Sequence, residues 1–176
     1  MSKDHMGDDA AAALWAFALA VYGHPGVGEA CLALQDRRGA NVPLLLFVLW
    51  LGAERGVWLT TGEIEDLGRE VEAWHGEIVG VLRALRRRLK GGPLPAPNPP
   101  SDALRETIKA AELAAERIEL DALAATRRRW IQTTEPSPDA AAANLAAILA
   151  TLGGPQPEEA WVAEAGETLR VAVRAR

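Results

Sequence analysis

The chain has 176 residues, 49% of them hydrophobic and 24% charged, with a formal net charge of −5 at pH 7. A globular protein of this length can bury one core without metals or disulfides, and an acidic balance argues against a dedicated DNA-binding protein, which needs a basic surface. Cys31 is the only cysteine and residues 1–5 hold no apolar signal core, so we expect no disulfide and a cytoplasmic protein.

Glycines and prolines divide the first part of the chain into stretches that we predict to be helical. Residues 23–26 form one turn, and Gly39 follows another helix where a chain commonly turns left-handed. Asn41 caps the next helix, whose first turn tolerates Pro43 because that amide has no helical partner. The four predicted helices run from Asp8 or Asp9 to about Tyr22, from about Val27 to Arg38, from Asn41 to Gly56, and from Thr60 or Thr61 to about Lys90, where Gly76 or Gly80 allows a bend.

An unbroken apolar run at residues 44–51 raises the question of a membrane span. A spanning helix needs about 20 predominantly apolar residues, and this run is flanked by Arg37 and Arg38 on one side and by Glu54 and Arg55 on the other. We therefore predict a central helix buried on all sides, and no transmembrane segment.

Residues 91–100 contain two glycines and five prolines, which favour an extended, semi-rigid connection. This segment separates an aromatic-rich helical core at 10–90 from an alanine-rich helical lobe at 101–176, and residues 1–9 are predicted to be flexible. We expect the lobe to pack on the first part as one domain.

The alanine-rich lobe is predicted to begin with a long helix capped by Ser101 or Asp102. Its apolar residues alternate spacings of four and three, which draws one seam along the helix that must meet another helix. The seam consists of Leu104, Ile108, Ala111, Ala115, Ile118, Ala122 and Ala125. Residues 136–138 end this element, and two further helices follow, at about 139–152 and from about Glu158. The predicted fold is therefore an all-α multi-helix bundle of about six to eight helices with a proline-rich connection in the middle.

Several segments of the first half, in this order, resemble a family of small helical proteobacterial proteins known only as a domain of unknown function. The segments are residues 14–19, residues 31–36 followed by Gly39 and Val42, residues 44–46 with Leu49 and Trp50, and Trp74 ahead of residues 82–86. The resemblance covers about residues 10–90. It implies an all-helical fold and a bacterial source, and it supplies no activity or catalytic residues.

The sequence contains no recognisable catalytic, metal or cofactor motif. The histidines His5, His24 and His75 are far apart and have no metal-ligand spacing, so no metal site is expected. Cys31 on an apolar helix face is predicted to be a small core residue rather than a nucleophile. The glycines at residues 23–28 lack the strand and the lysine of a phosphate-binding loop.

Gln35 and Asp36 end a helix that leads into the most apolar part of the chain, and two interpretations stay open. The first is that they bond the loop amides between Gly39 and Val42, which have no helical partner. The second is that they supply polar groups to a pocket, where a buried carboxylate could do acid–base work.

A basic strip, which consists of Arg83, Arg86, Arg87 and Lys90, gathers within about 100° on one helix. One interpretation is a solvated face stabilised by the helix C-terminus and neutralised by carboxylates of the second half. The other is a site for a phosphate, a lipid headgroup, RNA or an acidic partner. Residues 127–130, with three arginines and Trp130, form a similar cluster at the end of the long helix.

Tryptophans supply the remaining candidate residues. Trp15, Trp50 and Trp74 lie within apolar patterns and are predicted to be core residues whose indole N–H finds a carbonyl, or to line a groove. Trp58, Trp130 and Trp161 lie near predicted element ends.

Two functions of different classes follow from these observations. The favoured one is a non-enzymatic module that uses the basic strip and an aromatic-lined groove to bind a protein, another copy of itself or an anionic small ligand. The alternative is a small helical enzyme with a pocket built around Gln35, Asp36 and the basic strip. No cofactor and no DNA partner are expected from either.

Overall fold

The computed structural model describes residues 5–126, 135–153 and 160–175, and all regular secondary structure in these ranges is helical. This confirms the predicted all-α multi-helix bundle. The helices are α1 (His5–Tyr22), α2 (Val27–Arg38), α3 (Val42–Arg55), α4 (Thr61–Trp74), α5 (Gly80–Gly91), α6 (Pro99–Thr126), α7 (Pro138–Thr151) and α8 (Ala160–Arg174). A π-helical turn, His75–Val79, joins α4 to α5 without a break.

The first two helices end near the predicted glycines. Helix α1 begins at His5, earlier than the predicted start at Asp8 or Asp9, so residues 5–9 are helical. Helix α2 ends at Gly39, whose φ of 68° is left-handed, and the amides of Gly39 and Ala40 bond the carbonyls of Gln35 and Leu34. These backbone bonds satisfy two of the loop amides that we had considered as partners for the Gln35 and Asp36 side chains.

Helix α3 is the predicted central helix. Every residue from Val42 to Ala53 is buried, so the apolar run covers all sides of the helix. The Asn41 side chain accepts a hydrogen bond from the Leu44 amide at 2.9 Å, and Pro43 occupies the first turn as predicted.

The predicted bend near Gly76 or Gly80 corresponds to the π-helical turn between α4 and α5. The start of α4 is fixed by a capping box, in which the Glu63 carboxylate accepts from the Thr60 amide and the Thr60 hydroxyl accepts from the Glu63 amide. A π-helical turn admits one extra residue, which rotates the faces of α5 relative to those of α4.

Helix α6 starts earlier than predicted. Its cap is Asn98 rather than Ser101 or Asp102: the Asn98 side chain accepts from the Ser101 amide, and the Ser101 hydroxyl accepts from the Asn98 amide, both at 2.8 Å. Ser137 caps α7 in the same manner. The predicted arginine cluster at 127–130 lies outside the described residues.

Contacts divide the described chain into two compact units whose boundaries fall within α4 and α6. One unit comprises Met1–Gly68 and Leu120–Arg176, and the other comprises Arg69–Glu119, which contains the proline-rich residues 91–100. In the first unit α7 packs along α3 and α8 packs along α2, so the last two helices of the chain pack on helices of its first half.

Asn144 ties α7 to α3 and to the residues that follow α3. This side chain is fully buried, and its oxygen accepts from the Leu59 amide at 2.8 Å. Its nitrogen donates to the carbonyls of Val48 and Val57, both at 2.9 Å. The buried amide therefore ties α7 to the Val48 carbonyl within α3 and to the Val57 carbonyl and Leu59 amide, which lie outside the helices.

Among the described residues, no single helix is both long and apolar enough to cross a bilayer. Helices α1 and α2 meet that criterion only as a pair, and a 99° bend separates them.

Candidate protein-interaction face

The second unit contains a helical hairpin, by which we mean the π-helical turn, α5 and α6 as far as Glu119. The Trp74 indole, just before the turn, donates to the Ala115 carbonyl at 3.0 Å, and His75 Nδ1 lies 2.9 Å from a Glu119 oxygen. Arg83, further along, pairs with Glu112, which precedes Glu119 in the chain. Because later residues of α5 meet earlier residues of α6, the two helices run antiparallel.

Two arginines of α5 and two glutamates of α6 form the centre of the hairpin. Arg83 donates to Glu112 at 3.0 Å and to Glu116 at 2.8 Å, and Arg86 donates through two nitrogens to Glu112. Arg83 and Glu112 are 9% and 6% exposed. This arrangement matches, at Arg83 and Arg86, the interpretation in which carboxylates of the second half neutralise the basic strip.

The ion pairs change the acidity of the two glutamates in opposite directions. Burial is the largest single effect on the pKa of Glu112 and opposes ionisation, but the hydrogen bonds and charges of Arg86 and Arg83 together hold that pKa below its usual value. Burial raises the pKa of Glu116 above its usual value despite Arg83. The hydrogen bond from Glu112 raises the pKa of Arg86. Glu112 is therefore the firm anionic partner of the cluster.

Helix α5 turns Arg83 and Arg86 toward α6 and its large apolar side chains outward. Val81 is 57% exposed, Leu85 47% and Ile78 39%, while Leu82 and Leu89 are half-buried. These five side chains form a common apolar side, which is left open in the described chain. The polar side packs instead because α6 supplies carboxylates there.

Helix α6 uses only part of its predicted seam inside the chain. Ile108 and Ala115 are buried, but Leu104 and Ile118 are each 51% exposed and Ala111 is exposed. The prediction that one face of this helix is covered throughout by apolar packing is therefore wrong for the described residues. The buried line runs through Ile108, Glu112, Ala115 and Glu119, so that two carboxylates replace half of the expected apolar contacts.

The open apolar side chains of α5 and α6 lie on the same side of the hairpin. Each helix advances by about 100° per residue. On both helices, the exposed apolar residues are rotated by roughly a quarter turn from the side that faces the other helix. The rotation has the same sense on both helices when each is viewed from its N-terminus. Because the helices run antiparallel, the same rotation on each brings both stripes to one side. We call this surface the apolar face; it consists of Ile78, Val81, Leu82, Leu85, Leu89, Leu104, Ala111 and Ile118.

The other predicted site residues are distributed between the two units. Arg87 and Lys90, the remaining members of the basic strip, are exposed on α5. Gln35 is half-buried and Asp36 is exposed on α2, in the first unit.

The tryptophans do not form one open cluster in the described residues. Trp50 is 1% exposed, stacks on Phe47 with ring centres 6.0 Å apart and lies under the Arg55 guanidinium, so it is a core residue as predicted. Trp15 is half-buried in the first unit, and Trp74 is half-buried in the second with its indole N–H on a carbonyl. A shallow groove in the first unit is lined by aliphatic residues such as Leu49, Leu145 and Val173, without a tryptophan.

Single-residue predictions can be compared directly with the structure. Cys31 is fully buried, as expected of a core residue. Trp58 is 61% exposed, and Trp161 lies 5.0 Å from the guanidinium of Arg37. No group of three or more potential metal ligands occurs in the part of the chain that the structure describes.

Sequence reasoning missed Glu112, Glu116 and Glu119 as members of the site. Their spacing of four and three residues places them on one face of α6, which is the signal that could have identified them. The same spacing relates the residues of the basic strip. An acidic stripe and a basic stripe of equal period on helices joined by a short connection predict pairing between the two helices.

Comparison with known proteins identifies a family but no activity. Residues 13–123 match the family described as "Protein of unknown function (DUF2390)". This range includes the hairpin and extends past the predicted limit near residue 90, through the proline-rich residues and most of α6. No curated protein and no solved structure matches the chain.

Proposed function

The chain belongs to the DUF2390 family, whose description assigns no activity, and we propose that it is a non-enzymatic helix-binding module that docks a protein on the apolar face of its hairpin. The observation that supports this proposal is the exposure of large aliphatic side chains from two adjacent helices on one side. Single exposed apolar residues are common in soluble proteins, but a continuous patch of this kind marks an interaction surface.

The chemistry of the face defines the kind of partner that it fits. Its side chains are leucine, isoleucine, valine and alanine at helical spacing, which complement the apolar stripe of another helix. The polar side of α5 contributes little to such docking, because Arg83 and Arg86 already bond to Glu112. We therefore assign recognition to the aliphatic residues and not to the basic strip.

Photo-crosslinking tests this function at one position and its neighbour. A photo-reactive amino acid in place of Leu85, in cells that make the protein naturally, should give covalent protein adducts of discrete mass. Ala84 is exposed on a different side of α5 and provides the matched control, where we expect no discrete adduct. Equal labelling at the two positions, or none at Leu85, would contradict a docking face, and peptide sequencing of the adduct identifies the bound protein.

Anion binding by the basic strip has less support. An anion would have to displace the Glu112 carboxylate from Arg83 and Arg86, and this carboxylate is already held by three hydrogen bonds from them. The enzymatic alternative needs a pocket built around Gln35 and Asp36, and the groove described in the first unit is lined by neither of them. We do not propose either function, and the bacterial and cytoplasmic setting stays a prediction.

A further inference from the structure

The apolar seam of α6 has a partner helix on only one of its flanks. Residues Leu104, Ala111 and Ile118 repeat at intervals of seven, which is the period of helices that wind around one another. Ile108 and Ala115, the interleaved positions, are buried, while the repeating set remains exposed. A helix with this period therefore lacks one packing partner in the described residues of a single chain.

On the basis of the proposed docking function, we infer that the occupant of the apolar face is a second copy of this chain, paired hairpin to hairpin as a four-helix bundle. The leucines Leu82, Leu85 and Leu89 of α5 are separated by three and four residues, so the first and last of them are also seven residues apart. Two copies of one face can therefore interlock about a twofold axis, as symmetric dimers do.

The charges of the two helices select one arrangement of the copies. Helix α5 carries five basic and no acidic side chains, whereas α6 carries six acidic and three basic ones. Placing α5 on α5 would bring two strongly basic helices together. Placing α5 of one copy on α6 of the other avoids this repulsion, because the exposed charges of α6 are of both signs, as at Asp102, Glu106 and Lys109.

The size of the face fits a weak dimer. At about 1.5 Å per residue, residues 78–89 span about 18 Å and residues 104–118 span about 22 Å, so two helices roughly 10 Å wide present about 400 Å² in each copy. Two copies would then bury about 800 Å² in total, which is below the size of a standard protein interface and consistent with a dimer that dissociates on dilution.

Measuring molar mass in solution is the first test. The full chain should show twice the monomer mass of 18.8 kDa at concentrations of about 100 µM, and dissociate on dilution. Leu85→Glu should reduce the mass to 18.8 kDa at every concentration, while Ala84→Glu, one residue away on another side of α5, should leave the dimer intact. Circular dichroism confirms that both variants keep their helices, since the changed side chain is exposed in the single chain.

Disulfide formation between mixed chains tests the arrangement. A Leu85→Cys chain mixed with an Ala111→Cys chain should form a mixed disulfide, because the two positions lie at the same level of the hairpin. Each chain alone should crosslink far less. Ala84→Cys mixed with Lys109→Cys, exposed positions at a similar level outside the apolar face, is the control; all four chains keep the buried Cys31.

Each outcome decides between the two proposals. A monomeric native chain that gives adducts from Leu85 with a different protein overturns the second copy and leaves the docking function intact. A monomer that instead sediments with phosphatidylglycerol vesicles, in a manner lost in Leu85→Glu, overturns both and identifies a lipid surface. Crosslinking of Leu85→Cys with itself in preference to Ala111→Cys overturns the arrangement of α5 on α6.

Discussion

Arg83, Arg86 and Glu112 determine how the two helices of the hairpin meet. Buried ion pairs add little net stability, because removing both charges from water costs about as much as their attraction returns. They do penalise any sliding of α5 along α6, since a shift would leave a buried charge unpaired. The cluster therefore fixes the register of the hairpin and, with it, the alignment of the two halves of the apolar face.

The opposite pKa shifts of the two glutamates lead to opposite effects of neutralising them. Glu112→Gln should lower the free energy of unfolding by about 2–4 kcal/mol at pH 7, because it removes the anion that Arg86 bonds and one of the two that Arg83 bonds. Glu116→Gln should change it by less than about 1 kcal/mol, or raise it, because burial already disfavours the charge of Glu116. Denaturant unfolding of both variants beside the native chain measures the difference.

The pH dependence of the free energy of unfolding provides the control for Glu112→Gln and Glu116→Gln. A pKa that is lowered in the folded chain stabilises at pH values above the unfolded pKa, and that stability is lost as the pH falls through the folded pKa. The cost of Glu112→Gln should therefore shrink below about pH 4. A raised pKa acts in the reverse direction, so the native Glu116 is least favourable above its folded pKa. A pH-independent cost of Glu112→Gln would show that the side chain acts through packing alone.

Asn144 should be the most sensitive polar residue of the first unit. Asn144→Leu preserves much of the volume but removes the buried hydrogen bonds to the Leu59 amide and the Val57 carbonyl, which lie outside the helices, and to the Val48 carbonyl. We expect a loss of about 3 kcal/mol in the free energy of unfolding, measured by thermal or denaturant unfolding. Asn98→Ala, which removes a half-buried helix cap, is the comparison, with a loss of about 1 kcal/mol. Equal losses would mean that water reaches the Asn144 site.

At the scale of the elements, the sequence allowed the helices to be located but not all of their contacts. Helix α3 was predictable because an unbroken apolar run has no polar side, so its environment follows from composition alone. Its ends were predictable because Asn41 can cap a helix N-terminus and Gly56 can adopt the left-handed conformation that often follows a helix. The start of α6 was less predictable. Asn98 and Ser101 are both good capping residues, and their reciprocal hydrogen bonds make Asn98 the cap.

The orientation of the amphipathic helices was the part that periodicity could not settle. Period and composition predict that α5 has an apolar side, but not whether that side meets the same chain or another molecule. The carboxylates of α6 determine the orientation of α5 by attracting Arg83 and Arg86. This attraction requires that the two helices pair, although the proline-rich residues separate them in the chain. The candidate face was therefore visible in the sequence as a pattern, while its exposure required the structure.

The contact between α3 and α7 depends on a glycine. A Cβ atom added at Gly52 would lie 2.5 Å from the Ala141 nitrogen and 2.6 Å from its Cα, so the backbones would have to separate. Gly52→Ala should lower the free energy of unfolding by about 1–3 kcal/mol despite its better helix propensity, as measured by denaturant unfolding. Gly62→Ala, in α4 where the added atom meets nothing within 4 Å, should be neutral or stabilising. Equal changes in the free energy of unfolding for the two substitutions would show that the close approach of α3 and α7 at Gly52 does not affect stability.

For the molecule as a whole, the family match and the proposed function concern the same part of the chain. Residues 13–123 contain the entire unit Arg69–Glu119, including both helices of the hairpin. The buried arginine–glutamate cluster and the open apolar face are therefore features of the region that defines the family. If the proposed docking holds, the charged interior of the hairpin sets the alignment of α5 and α6, and a partner that covers the apolar face supplies the stabilisation that this interior lacks.

Thermal stability should consequently depend on protein concentration. Association of the folded chain removes folded monomer from the unfolding equilibrium, so the unfolding midpoint of a dimer rises with total concentration, whereas that of a monomer does not. For the native chain we expect the midpoint to rise by several degrees over about a hundredfold increase in concentration. Leu85→Glu should unfold at a midpoint that is lower and independent of concentration, and Ala84→Glu should follow the native chain. Scanning calorimetry measures all three, and a constant midpoint for the native chain would show that its stability does not depend on covering the apolar face with a second copy.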